Sequence, residues 1–146
     1  MKSTLFIFLS LFLLFSFKNG NSGDVIIEVS GINISKKGNL IVGLFKQNGF
    51  PKANQSSYGK TIPITSSTMT VKFSSIENGE YAVAVFQDQD LNDKLSSNFF
   101  GVPNEPFGFS NNKFGMFGPP NFSDVSFKVS ESKKSNLSIK IKEYSF

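Results

Sequence analysis

Cysteine, histidine, tryptophan and arginine are all missing from this 146-residue chain. Without cysteine there are no disulfide staples, so stability has to come from a packed core, and small cysteine-rich scaffolds are excluded. Without histidine the usual general base near neutral pH is lost, together with Ser-His-Asp and Cys-His catalysis and the commonest zinc ligand. Every basic residue is a lysine. The bidentate guanidinium fork that reads base edges and grips phosphates is therefore absent, and nucleic acid is not an expected partner.

The N-terminus places Lys2 ahead of an apolar run from Leu5 to Phe17 that only Ser10 and Ser16 interrupt. The run falls short of the ~20 apolar residues a membrane span needs, and Gly20 and Ser22 are small residues at a spacing that signal peptidase accepts. This pattern predicts a signal peptide over residues 1–22 and a single mature domain over 23–146, secreted or periplasmic, with no transmembrane span once the signal is removed. No cysteine follows the run, so no lipid anchor is expected. The mature part holds 13 lysines against 11 acids, a net charge of +2 that is too small to select a partner. Its length suits one domain that buries roughly two thirds of its unfolded surface.

Period-two alternation dominates this domain. Strands are expected over 25–32, 39–46, 60–65, 68–76 and 81–86. Pro63 marks an edge or bend, and Asn78-Gly79 is a strong hairpin signal between the fourth and fifth strands. Val125, Phe127 and Val129 alternate with Ser126, Lys128 and Ser130; Leu137, Ile139 and Ile141 alternate with Ser138, Lys140 and Lys142. Each of these two strands has one wet face, whereas YAVAVF (81–86) is apolar on both faces, as in a central strand covered on both sides. With no amphipathic helix in the mature chain, the expected fold is all-β: an antiparallel two-sheet sandwich of about seven strands, immunoglobulin-like in its pattern, with one long Phe/Gly/Pro-rich loop.

That loop runs from Phe99 to Phe122, and seven of its 24 residues are Phe, four Gly and four Pro. So much Phe argues against simple disorder, and a connection of this length is commonly functional. Two readings compete. The rings plug an open end of the sandwich, or Glu105, Phe107, Phe109, Phe114 and Phe117 form a ligand site. Sugar platforms favour Trp and Tyr, which the segment lacks, so an apolar or peptide-like ligand suits it better than a glycan. Glu105, held between Pro103 and Pro106, is the most constrained acid; its structural role would be to accept backbone hydrogen bonds that fix the loop.

Just before this loop, FQDQDLNDKL (86–95) sets Asp88, Asp90 and Asn92 at alternate positions and adds Asp93. Aligned on a calcium-binding EF-hand loop, Asp88, Asp90 and Asn92 occupy positions one, three and five. Position six asks for Gly and has Asp93; position twelve asks for a bidentate Glu and has Phe99. A weak calcium site built on Asp88, Asp90, Asn92 and Asp93 is one expectation, and no cofactor, with the Asx residues capping a turn, is the other. A glycan hydrolase is the enzymatic alternative, since glycosidases work with paired carboxyls; the candidate pool is Asp88, Asp90, Asp93, Glu105 and Asp124, with Asp88, Asp90 or Glu105 favoured. Tyr81, after Asn78-Gly79, is a candidate tyrosine corner whose hydroxyl bonds back to nearby backbone.

Four stretches, GNLIVGLFKQNGFP (38–51), IENGEYAVAVFQDQDLNDKL (76–95), NFFGVPNEPFGFSNN (98–112) and FGPPNFSDVSFKV (117–129), together resemble the exported bacterial family known as domain of unknown function 2141. The likeness spans nearly the whole mature chain. It implies an exported, transthyretin-like sandwich without an established activity. In that family the segment after the central strand runs His-Asp-x-Asn-x-Asn-Gly-Lys-Leu-Asp. Here Gln87 stands for the His, Asp93 for the Gly and Ser96 for the last Asp, which weakens a metal or catalytic role. The expectation for function is a non-enzymatic module that binds a protein, peptide or glycan partner at one end of the sandwich, or serves as a structural part of the envelope.

Overall fold

The computed structural model describes residues 21–52 and 54–144. All but the last two residues of the expected signal peptide lie outside that range. The described residues form eight strands: β1 (Ser22–Ser30), β2 (Asn39–Phe45), β3 (Tyr58–Pro63), β4 (Thr68–Glu77), β5 (Gly79–Asp88), β6 (Phe107–Phe109), β7 (Phe127–Val129) and β8 (Lys134–Lys140). One sheet has the order β4-β1-β8, and the other β3-β2-β5-β6, with β7 beside β6 on the same edge of β5. The sandwich is as expected. β1 begins at Ser22 rather than Val25, and the Asn21 carbonyl already accepts the Asn78 N–H at 2.9 Å.

Alternation put the right residues inside. Val25, Ile27 and Val29 of β1, Leu40, Val42 and Leu44 of β2, and Tyr81, Val83 and Val85 of β5 meet in the main core. Burying each such aliphatic side chain contributes roughly 1.5–3 kcal/mol. Pro63 ends β3, an edge strand, where its missing N–H leaves no ladder bond unmade.

Two expectations about pairing fail. Asn78-Gly79 does not close a hairpin, because β4 pairs with β1 and β5 with β2, so the chain crosses from one sheet to the other at this point. The β8 ladder on β1 is parallel, whereas every other ladder is antiparallel. Alternation marks which face of a strand is apolar but carries no information about the direction of its neighbour. β8 enters from β7 in the opposite sheet, which sets it alongside β1 in the same sense. Beyond β8, Phe107 and Lys142 exchange N–H···O=C bonds of 3.0 Å in both directions, stitching the two sheets together on this side.

The Phe-rich segment does not plug an end of the sandwich. It covers the outer face of β5, where the small Ala82 and Ala84 leave room for rings. Phe109 and Val125 are buried there, with Phe50, Phe107, Phe114 and Phe122 packed around them. Phe50 meets Phe109 and Phe122 edge to face at 5.7 and 5.9 Å, which suits the quadrupoles of aromatic rings. Part of this loop is also regular: β6 lies in it, and Phe122–Val125 forms a single helical turn, α1.

Ser110, Asn111 and Asn112 fasten it. The buried Ser110 hydroxyl accepts the Val83 N–H at 2.9 Å and donates to the Val125 carbonyl. Asn111 Nδ2 reaches the carbonyls of Asp124 and Ser126. Asn112 pairs with the outer edge of β8 like a strand, accepting the Lys140 N–H at 2.8 Å and donating to the Ser138 carbonyl at 2.9 Å. An exposed sheet edge is a liability, and here one side-chain amide blunts it.

Tyr81 is not a tyrosine corner. Its ring is fully buried against Tyr58, with centroids 6.1 Å apart, and its hydroxyl has no hydrogen-bond partner. Burial pushes the phenol up to about 12, with Tyr58 and then Glu77 adding to the rise. Because the folded value lies above the unfolded one near 10, this contribution to stability is complete below pH 10 and drains away as pH rises toward 12. Tyr81→Phe is expected to stabilise the fold by about 1 kcal/mol at pH 8, since it deletes an unpaired buried hydroxyl, and to lessen the alkaline loss. Urea melts of both proteins at pH 8 and pH 11 check this; parallel losses at high pH would contradict it.

Candidate functional site

The site grows from the end of β5. Asp88 is fully buried, and its Oδ1 and Oδ2 accept the N–H groups of Asn92 and Asp93 at 3.1 and 2.9 Å. Those two bonds curl the chain back on itself. Asp90 Oδ1 accepts the Asn92 N–H at 3.3 Å, and its Oδ2 takes Asn92 Nδ2 and the Ser96 hydroxyl, each at 2.9 Å. Asp93 adopts a left-handed backbone, φ 60°, at the position where the calcium-loop template asks for Gly. At that one position the left-handed backbone is adopted by a non-glycine residue.

Glu105 closes the loop from its far end. It is 3% exposed, and its Oε1 accepts the Gln89 N–H at 2.7 Å while Oε2 accepts the Ser96 N–H at 2.9 Å. Oxygens of Asp88, Asp90 and Glu105 consequently lie within 4.8 Å of one another. The two ion pairs among the described residues, Lys46–Glu77 and Lys72–Asp24, are elsewhere. In the second of these the Lys72 ammonium, followed by the Ser75 N–H, holds the Asp24 carboxyl below the usual carboxylate range. Among the described residues, no lysine lies at salt-bridge distance from the three clustered acids.

Of the expected calcium ligands, the structure brings Asp88 and Asp90 together. The Asp93 carboxylate is not in the group, and the Asn92 side-chain Oδ1 accepts the Lys94 N–H at 2.8 Å. Glu105, expected in the ligand-binding set, lies among the acids and accepts backbone N–H groups, but those of Gln89 and Ser96 in the acid loop rather than of the Phe-rich loop. It comes from outside the 12-residue window in which a position-twelve acid is sought, so a linear template does not find it. Gln87, in place of the family's His, is buried and ties down the neighbouring loop through Asn33 N–H, Asn33 carbonyl and Lys37 carbonyl at 2.8–2.9 Å.

The expected aromatic platform is mostly packing. Phe109 is buried, Phe107 and Phe114 are half-buried and share ring contacts with each other and with Tyr144, and only Phe117 is presented to solvent. The large apolar side chains that are fully displayed are Phe99 (98%), Phe100 (85%), Met116 (89%) and Phe117 (97%). Phe99 and Phe100 lie outside the expected ligand set, and composition alone does not separate them from the other rings of the loop. Their flanking Asn98 and Gly101 are the turn residues that would have set them at a tip.

Between the acids and Glu105 the chain makes a small hairpin, bridged at Ser97 and Pro103, with Phe99 and Phe100 at its turn. Two open surface depressions lie apart from the acids: one is lined by Lys113, Phe114, Met116 and Asn121, the other by Gln47, Glu80, Asn121 and Phe122. No helix among the described residues is long and apolar enough to cross a membrane.

These features define a two-sheet β-module in which a single loop, 88–106, carries carboxylates at its root and an aromatic pair at its tip. The chain belongs to the bacterial family described as "Uncharacterized protein conserved in bacteria (DUF2141)", whose model matches residues 27–137, from β1 into β8 and across the whole of this loop. No curated protein and no solved structure matches the chain.

Proposed function

We propose that the protein is a non-enzymatic exported module that binds a partner through loop 88–106, with a calcium ion bracing the root of that loop. The observation that carries this is the convergence of Asp88, Asp90 and Glu105 within 4.8 Å, with no paired lysine, beneath two exposed phenylalanines. Three like charges at that separation repel, and a hard divalent cation that takes oxygen ligands relieves the repulsion. The three carboxylates would be the ligands, with carbonyls and water completing the six to eight oxygens that calcium takes. Export rests on Lys2 and the apolar run of Leu5–Phe17.

A hydrolase is the weaker reading. Asp88 and Glu105 are buried rather than set on opposite sides of an open cleft, and neither surface depression described above includes an acid of the cluster.

The test is a thermal melt of residues 21–146 in EDTA and again in 5 mM calcium. Affinities of 10⁻⁴–10⁻³ M, typical of extracellular calcium modules, give about 1–2 kcal/mol of stabilisation, a rise of several degrees. Asp90→Asn should abolish most of that rise while leaving the EDTA melt near its original midpoint. Identical melts with and without calcium would remove the ion from the reading.

A further inference from the structure

We infer that the Phe99–Phe100 tip inserts into a zwitterionic lipid surface. This rests on the reading of loop 88–106 as the binding element, but not on the calcium ion. The tip is convex, so it does not form a pocket for a small molecule. Phe99 and Phe100 pack edge to face on each other at 5.6 Å and otherwise face solvent.

Three consecutive donors at the turn are already satisfied within it. Asn98 Oδ1 accepts the N–H groups of Phe100 and Val102 at 2.9 and 3.0 Å, and the Asn98 carbonyl accepts that of Gly101 at 2.9 Å. The Asn98 N–H in turn donates to the Val102 carbonyl at 2.8 Å. A protein partner supplies hydrogen bonds to a docked loop, whereas the apolar part of a bilayer supplies none, so a loop that enters lipid must satisfy its own backbone. This turn does so.

The charge pattern selects the kind of surface. Residues 95–104 contain no charged side chain, and Glu105, which follows, is buried. Below the tip the exposed charges of the loop are Asp90, Asp93 and Lys94, a net negative collar. Such a collar gains nothing from anionic headgroups and faces the cationic ammonium of phosphatidylcholine or phosphatidylethanolamine favourably. Two phenyl rings form a small anchor, so partition is weak and reversible, as with other single apolar anchors.

The experiment uses the signal-free protein with phosphatidylcholine vesicles, followed by co-sedimentation. Saturable partition is expected, no stronger when phosphatidylglycerol is added and little changed by 0.5 M salt. Phe99→Ser with Phe100→Ser should lower it at least tenfold, with the melting temperature preserved because both side chains are exposed. As the chain has no tryptophan, Phe99→Trp gives a background-free probe, whose emission should shift to the blue with vesicles and be quenched by brominated lipid. Absence of partition and of the blue shift overturns the inference, as does binding that survives the double serine variant or that requires anionic lipid. A calcium-dependent melt without vesicle binding would leave the calcium site standing and remove only the lipid partner; vesicle binding without a calcium effect would do the reverse.

Discussion

Gly38→Ala is expected to destabilise the fold by about 3 kcal/mol or more and to blunt the response to calcium. Gly38 has φ +92°, a backbone that a side chain tolerates poorly, at a cost of about 1–3 kcal/mol. A Cβ at this position would also lie 2.1 Å from the Asp88 carbonyl oxygen and 2.9 Å from its carbon, with backbone rather than a flexible side chain in the way. Relief requires moving the end of β5 away from the start of β2, where Asn39 pairs with Asp88. The same movement shifts the carboxylate that folds the acid loop. Gly59→Ala is the matched control: it sits on the exposed edge strand β3, its Cβ would meet nothing closer than Ser56 Oγ at 3.4 Å, and a change within ±1 kcal/mol is expected. Urea melts in EDTA and in calcium measure both variants. A Gly38→Ala protein as stable as the parent would show that β5 yields there without cost.

The sandwich was legible because it depends on period-two burial, which a chain cannot hide: Val25, Ile27 and Val29, or Tyr81, Val83 and Val85, are apolar at alternate positions because they face one core. What was not legible follows from contacts distant in sequence. Asn78-Gly79 reads as a hairpin locally, yet β4 and β5 each find a better partner in the opposite sheets, β1 and β2. The Phe-rich loop reads as an end plug or a ligand platform until Ala82 and Ala84 are seen to leave a surface that needs covering. Asp88 and Asp90 were visible as neighbours in the chain. Their third partner, Glu105, arrives only after a hairpin has carried the chain out and back, and only its hydrogen bonds to Gln89 and Ser96 reveal it as part of the same cluster.

Glu105→Gln is expected to cost about 3 kcal/mol in calcium and clearly less in EDTA. The glutamine keeps one oxygen to accept an N–H, but turns its amide nitrogen toward the other, either Gln89 N–H or Ser96 N–H. Losing a hydrogen bond to a charged acceptor and leaving a buried donor unpaired costs roughly 2–4 kcal/mol. The opposing effect is electrostatic. Each pair of these carboxylates, within 4.8 Å of each other, repels by at least about 1 kcal/mol in a water-like dielectric and about 3 kcal/mol near a protein surface, and the substitution removes two such pairs. In EDTA that relief offsets much of the lost hydrogen bonding. With calcium bound the charges are already compensated, there is nothing to relieve, and a ligand is lost as well. A double cycle of Glu105→Gln against calcium therefore gives a coupling of about 1–2 kcal/mol, the most that calcium itself contributes, if the ion sits among these acids. An equal cost in both conditions would make Glu105 a clasp for Gln89 and Ser96 alone, and no cost in either would deny it even that role.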